Sequence, residues 1–364
     1  MRVTLFRDLP TEGWYSMERY ADELTAALQR QGCAVRSFVA ARPLKNWRGR
    51  GGALFNHFWR MVVYPAVARR QQGDLNHILD HSYAHLLEVL DPQRTLVTCH
   101  DIAPLVENPG GWGLSYYLWQ RAWRALPRAA HIITASQFTR RELLRHLKDY
   151  PPDKITPVGY GVSSEFSGVP LAETIAALRQ TVADAGQPLI VHVGSCLPRK
   201  NIETLIRAVA ELRDLKVIWA QVGGHFSLDQ RRLIRSLGLA DSIVQLPAAK
   251  GLSLCAWYRA ADVLVFPSLY EGFGLPVIEA MAAGVPVVCA RAAALPEVAG
   301  EAAVLVAPRD SVGLAAAIRE VLTNSTLRQE LIERGRVHSR LFTWEATARR
   351  TWAVYHQVYQ ECRA

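Results

Sequence analysis

The stretch EGFGLPVIEAMAAGVPVV (271–288) decides the reading of the whole chain. Pro276 suits a first helical position, where its missing N–H would be unpaired anyway. Gly284 suits the helix end. A short helix between them carries Glu279 in its first turn or so, and Glu271 lies in the loop before it, at the carboxyl end of a strand. The two loop glycines let backbone approach a ligand closely. Amides at Phe273, Gly274 and Leu275, together with the helix dipole, form an anion site. Two carboxylates beside an anion site fit a ligand with hydroxyls flanking a diphosphate, because carboxylates accept hydrogen bonds from hydroxyls. A sugar nucleotide has that shape.

Working outward, the segments around 271–288 alternate strand and helix. PLIVHVG, KVIWAQVGG, SIVQLP, DVLVFPS and VPVVCA are continuous apolar runs, as strands covered on both faces should be. Helical patterns lie between them, and AAVLVAP adds a short strand. An earlier series comprises RVTLF (2–6), a helix over MERYADELTAALQRQG, then AVRSFVA, Asn76–Leu79, TLVTCHD (95–101) and HIITAS (131–136). DYPPDKITPVGYGVSSEFSGVP (149–170), rich in Pro, Gly and Ser, separates the two series and reads as a linker region. The expected class is α/β with parallel sheets.

A second constellation is VGSCLPRKNIETLIRAVAEL (193–212): a strand, a short loop, then Arg199, Lys200 and Asn201 opening a helix. Two cations and helix amides at a strand end can cradle a diphosphate.

The run PSLYEGFGLPVIEAMAAGVPVV, followed by LPEVAGEAAVLVAP (295–308), resembles the E-x7-E segment of retaining GT-B glycosyltransferases, family 4. The resemblance implies two Rossmann-like domains facing a cleft. It places a nucleotide-sugar-binding domain over 161–340 and an acceptor-binding domain over 1–160. It also implies a terminal helix, 341–364, crossing back to the N-terminal domain. Glu271 then contacts the donor sugar and Glu279 the ribose. The amides of Phe273, Gly274 and Leu275 contact sugar and diphosphate. Lys200 matches the family's phosphate-loop lysine, beside Gly194. Many members carry an arginine where this chain has Ser195, and Arg199 stands in for it. In the first loop Gly13 remains where members often have a glycine pair. TCHDIAPL (98–105) resembles the family's His-Asp segment and puts His100 near the reacting sugar. Asp80, His81 and Tyr83, in a polar loop after Leu79, and Asp101 are acceptor candidates.

The family implies transfer with retention and without a metal. No GxGxxG, P-loop, HExxH or DxD-type motif occurs, which lowers dehydrogenase, NTPase and metalloprotease readings. His77, His81 and His85 have helical spacing, but a strand at 76–79 would keep them from converging on zinc. No cofactor is expected beyond the co-substrate nucleotide sugar. Two alternatives stay open. A GT-B sugar-nucleotide 2-epimerase would act without acceptor. A non-catalytic nucleotide-sugar-binding subunit would bind donor without turnover.

Composition bounds the rest. The 364 residues carry a net charge of +9, and half are hydrophobic. The six cysteines are too dispersed for a disulfide framework and are expected to be reduced. The first residues are too charged for a signal peptide, and no apolar run is long enough to span a bilayer, so a cytoplasmic location is expected. Residues 1–160 hold 21 Lys and Arg against 14 Asp and Glu, and no acidic residue lies between Glu23 and Asp74. Within 36–70, Arg48, Arg50 and Arg60 are interleaved with Trp47, Phe55, Phe58, Trp59 and Tyr64. This makes an anionic membrane beside a lipid-linked acceptor a candidate partner. No nucleic-acid-binding motif accompanies the charge.

Overall fold

The structure is a computed structural model that describes residues 1–10, 15–40, 55–107, 114–168, 172–184 and 186–363. Gly13, Arg42, Lys45, Trp47, Arg48 and Arg50 lie outside the described residues. The chain divides into two compact units. Unit 1 is Met1–Gly161 with Trp344–Ala364, and unit 2 is Val162–Thr343.

Unit 1 is built on a six-stranded parallel sheet: β1 (Val3–Phe6), β2 (Val35–Phe38), β3 (Leu75–Ile78), β4 (Thr95–Cys99), β5 (His131–Thr134) and β6 (Ile155–Pro157). Their order is β2-β1-β3-β4-β5-β6, with Val3 opposite Val35 on one side and Leu75 on the other. The central strands are buried end to end, and their polar members, Asn76, His77 and Thr98 among them, are buried with the apolar ones. β6 lies inside the seam read as linker. Three residues ending in Pro157 suffice at a sheet edge, where a missing amide leaves no ladder bond broken.

The last helix, Trp344–Glu361, belongs to unit 1. Its Tyr355 hydroxyl reaches His77 Nδ1 at 2.6 Å, and Trp344 stacks on Tyr160 with ring centroids 6.3 Å apart. His77 Nε2 meets Thr98 Oγ1 at 2.7 Å, so the helix is tied to both β3 and β4.

Unit 2 repeats the plan with β7 (Leu189–Val193), β8 (Ile218–Val222), β9 (Ile243–Leu246), β10 (Val263–Phe266), β11 (Val287–Ala290) and β12 (Val304–Val306). The order is β12-β11-β10-β7-β8-β9, all parallel. The chain therefore moves outward from β7 to β9 and returns to start again at β10, on β7's other side. The loops after β7 and β10 diverge at this reversal, which is where open α/β sheets bind ligands. The Ile202–Ala210 helix buries Leu205, Ile206 and Val209 in one core with Ile318 and Val321 of the Ser311–Thr323 helix.

Among the described residues no helix is long and apolar enough to cross a membrane. Cys33, Cys99, Cys196, Cys255 and Cys289 are buried free thiols, and Cys362 is exposed and free.

Candidate active site

The two constellations of unit 2 meet at the β7/β10 reversal. After β7 the chain passes Gly194, turns through Pro198–Lys200 and enters the Ile202–Ala210 helix by way of left-handed Asn201. Asn201 holds this turn. Its Nδ2 donates to Pro267 O at 3.1 Å, and its Oδ1 accepts from the Thr204 hydroxyl at 2.8 Å. Leu269 N donates to Arg199 O at 2.7 Å, so the loops after β7 and β10 are joined by backbone as well. Lys200 Nζ lies 2.5 Å from Glu271 Oε1 and 5.1 Å from the Phe266 ring centroid. Both side chains of the pair are only a little over one-tenth exposed. The charges stand at the switch point, and each neutralises the other.

The helix after β10 is Leu275–Ala282, capped by Gly274. Pro276 is thus its second residue, and Glu279 its fifth rather than one of its first turn. Gly274 has φ 104°, and a Cβ there would lie 2.7 Å from Leu295 Cδ2. Only glycine combines that conformation with that contact. Phe273 is buried, its ring edge-on to Phe342 at 5.9 Å. Glu279 is 2% exposed, and its Oε2 accepts a hydrogen bond from the Tyr258 hydroxyl at 2.9 Å. Tyr258, on the Gly251–Ala260 helix, was not singled out in the sequence. Its tyrosine-to-carboxylate bond joins helices with no local pattern linking them.

Behind the Gly194 loop lies a buried polar node that sequence reading also missed. Gln221, inside β8, donates from Nε2 to Gly194 O at 2.9 Å and to Gly223 O at 2.8 Å. Its Oε1 faces His192 Nδ1 at 2.8 Å. Two carbonyls fix which end of the amide is nitrogen, so His192 must carry its proton on Nδ1. Burial, with Lys200 nearby, pushes the His192 pKa down to about 3 and keeps the ring neutral.

In unit 1 the candidate residues follow β3 and β4. Asp80 caps the 3-10 helix His81–Glu88, its Oδ1 accepting from Ser82 N at 2.6 Å. The expected polar loop is therefore helical, because Asp80 satisfies its first amides. Burial disfavours the Asp80 charge, but His81, His100 and the Ser82 amide outweigh it and hold the carboxyl below its usual range. His81 sits 3.5 Å from Asp80 Oδ1. Tyr83 does not face outward as expected. It is 1% exposed, its hydroxyl accepts from Leu9 N at 3.0 Å, and Arg60 lies over its ring at 4.2 Å. It braces the wall of the unit. His100 is buried, with Nε2 donating to Leu79 O at 2.8 Å and Nδ1 engaged by the Tyr160 hydroxyl. Burial lowers its pKa. Asp101 Oδ1 accepts from Ala103 N at 2.9 Å and caps the next turn.

Among the described residues no group of three His, Cys, Asp or Glu could hold a metal ion. His77 is on β3, whereas His81 and His85 are on the following 3-10 helix.

Two family models match the chain: Glycosyltransferase Family 4 over residues 17–166, and Glycosyl transferases group 1 over 175–338. The O-antigen chain mannosyltransferase B of Escherichia coli is 32% identical over 302 residues, which are 79% of this chain and 77% of that protein. The chain belongs to the family 4 glycosyltransferases. This glycosyltransferase is also 30% identical over 270 residues to the serotype-specific mannosyltransferase WbdA of Escherichia coli, covering 71% of the chain. It spans only about a third of WbdA's length, 32%. Its fold matches sucrose-phosphate synthase from Thermosynechococcus elongatus with a TM-score of 0.78 at 23% identity, covering 99% of this chain and all of that one. The architecture of the glycosyltransferase is therefore GT-B, with two Rossmann-like units.

Proposed function

We propose that this glycosyltransferase moves a sugar, with retention and without a metal, from a nucleoside-diphosphate donor to a hydroxyl of a glycan or lipid-linked acceptor. The donor is of the UDP or GDP type, and the setting is synthesis of a bacterial cell-surface polysaccharide or glycolipid. The observation that carries this reading is the Lys200–Glu271 pair at the switch point of unit 2, with Glu279 buried one helix turn beyond. A cation for phosphate and carboxylates for hydroxyls stand together where the sheet topology binds ligands. The two named relatives are mannosyltransferases, which makes a mannosyl donor the first to test.

In this reading unit 2 binds the donor. Arg199 and Lys200 hold the diphosphate with Gly194, Ser195 and the amides of Phe273, Gly274 and Leu275, and Gly13 is a further candidate contact by the family resemblance. Glu271 takes the sugar hydroxyls and Glu279 the ribose. Unit 1 binds the acceptor through Asp80, His81 and Asp101, with Tyr83 as support, and His100 lines the reacting sugar. The anomeric C–O bond breaks, and its electron pair passes to the diphosphate oxygen. The acceptor oxygen forms the new bond on the same face and loses its proton to the departing phosphate. Lys200 and Arg199 stabilise the charge that develops there. Product analysis tests the stereochemistry. The account expects the new glycosidic bond to keep the donor's anomeric configuration. An inverted product, or epimerised donor formed without any acceptor, contradicts it.

The reading extends to the inner face of the membrane. Phe58 and Val62 are about half exposed, and Arg69 and Arg70 at the end of that helical segment are exposed too. Exposed apolar and cationic side chains along one helical segment suit an anionic interface. Co-sedimentation with vesicles should rise with anionic lipid content and fall in Phe58→Ser. Sedimentation indifferent to both would remove the membrane from the account.

A further inference from the structure

Gly224 and the 194–196 loop touch backbone to backbone. A Cβ on Gly224 would lie 2.8 Å from Cys196 N, Gly194 O and the Ser195 Cα, and φ there is +65°. Two glycine-bearing turns, one after β7 and one after β8, are thus packed without side chains between them. What sets their spacing is Gln221. It is fully buried, and its two amide hydrogens are divided between them, one on Gly194 O and one on Gly223 O. Its carbonyl end is held in turn by the His192 Nδ1–H. His192 is itself fixed, fully buried and stacked on Phe266 at 5.8 Å, the same ring that Lys200 Nζ approaches.

An interior β-strand position facing a packed core would ordinarily hold Val or Ile. A buried glutamine is tolerated only when its hydrogen-bonding groups are satisfied. Here the amide hydrogens and the carbonyl oxygen all have partners, and two of those partners are carbonyls of turns at the ligand-binding end of the sheet. We infer that Gln221, oriented by His192, is a positioning residue for the donor. It fixes the distance between the Gly194–Cys196 loop and the Gly223–Gly224 turn, and so presents the loop amides to a nucleoside diphosphate. Gln221 does not touch the ligand. Its effect falls on ground-state binding of the diphosphate and leaves the bond-breaking step alone. This inference rests on the reading of unit 2 as the donor-binding unit.

The test uses the full chain and compares wild type with Gln221→Met and Gln221→Glu. Methionine keeps the length of the side chain and removes both donors. Glutamate keeps the acceptor toward His192 but turns an oxygen onto two carbonyl oxygens. The expected result is a donor KM, and a dissociation constant for UDP or GDP by calorimetry, raised tenfold or more in both variants, and most in Gln221→Glu. The kcat at saturating donor stays within about threefold, and the acceptor KM does not move. A merely structural glutamine would lower the melting temperature while leaving the affinity of the folded protein unchanged, and that outcome overturns the inference. Should neither Gln221 variant fold, His192→Leu carries the test. It removes the hydrogen bond that orients Gln221, together with the ring stacked on Phe266, and leaves both Gln221 donors in place; an unchanged donor KM there also overturns the inference. A wild-type protein that binds neither UDP nor GDP would instead strike the donor reading itself.

Discussion

Lys200→Ala should lower the transfer rate by about 10²–10³-fold, with the fold intact. The figure is that for removing one preorganised donor aimed at developing charge. The loss should appear in kcat more than in donor KM, because the negative charge on the diphosphate grows as the glycosidic bond breaks. In the structure Lys200 is paired with Glu271 at 2.5 Å, so its charge is already desolvated and directed at the switch point. Removing the ammonium also leaves Glu271 without that partner, and Lys200→Ala with Glu271→Gln should therefore lose less than the two single losses combined. Measured kcat and KM for the two single variants and the double variant check both statements. Wild-type turnover in Lys200→Ala would remove Lys200 from the phosphate site.

The second large effect is on stability in mild acid. Burial pushes the pKa of His77 and His192 down to about 3, and of His85 and His131 down to about 4. Nearby charges add to this for three of them: His100 beside His77, Lys200 beside His192 and Arg60 beside His85. Their ordinary value is about 6.5, so below that pH the unfolded chain takes up protons that the folded chain refuses. The stability is fully present above pH 6.5. It is lost as the pH falls from 6.5 toward 4 and then 3, by about 1.4 kcal/mol per pH unit for each such histidine. The melting temperature should fall steeply between pH 6.5 and 5, before most carboxylates titrate. A melting temperature that is flat across that interval would contradict the burial of these rings as neutral imidazoles.

These two effects differ in how far the sequence announces them. Lys200, Glu271 and Glu279 were legible because each lies in a local pattern, a strand run followed by a glycine- or proline-bearing helix start. β7, β8, β10 and β11 were legible for a related reason: strands buried on both faces are mostly apolar, broken here only by His192 in β7 and Gln221 in β8. The pairing of Lys200 with Glu271 was not, because it joins residues 71 apart and depends on β7 lying beside β10. Tyr258 and Gln221 were hidden for the same reason. A tyrosine in an amphipathic helix and a glutamine in a strand look ordinary until their partners are in place. Tyr83 misled because a polar strand-end cluster signals exposure, whereas Arg60 and the Leu9 amide, both distant in sequence, bury it. β6 was masked by the prolines and glycines around it, which mark a seam but do not exclude a short edge strand.

Glu279 offers the most direct test of the central claim, that unit 2 binds a nucleoside diphosphate through these carboxylates and this cation. Thermal stability is measured for wild type and Glu279→Ala with UDP, GDP, ADP and their sugar conjugates, each protein against its own ligand-free melting temperature. A ligand that binds only the folded state adds about 2.7 kcal/mol of stability at a hundred times its dissociation constant, so a specific nucleotide cannot be missed. The account predicts a rise with one base class in the wild type and its loss in Glu279→Ala. No rise with any nucleotide in folded wild type, or an equal rise in the variant, would contradict it.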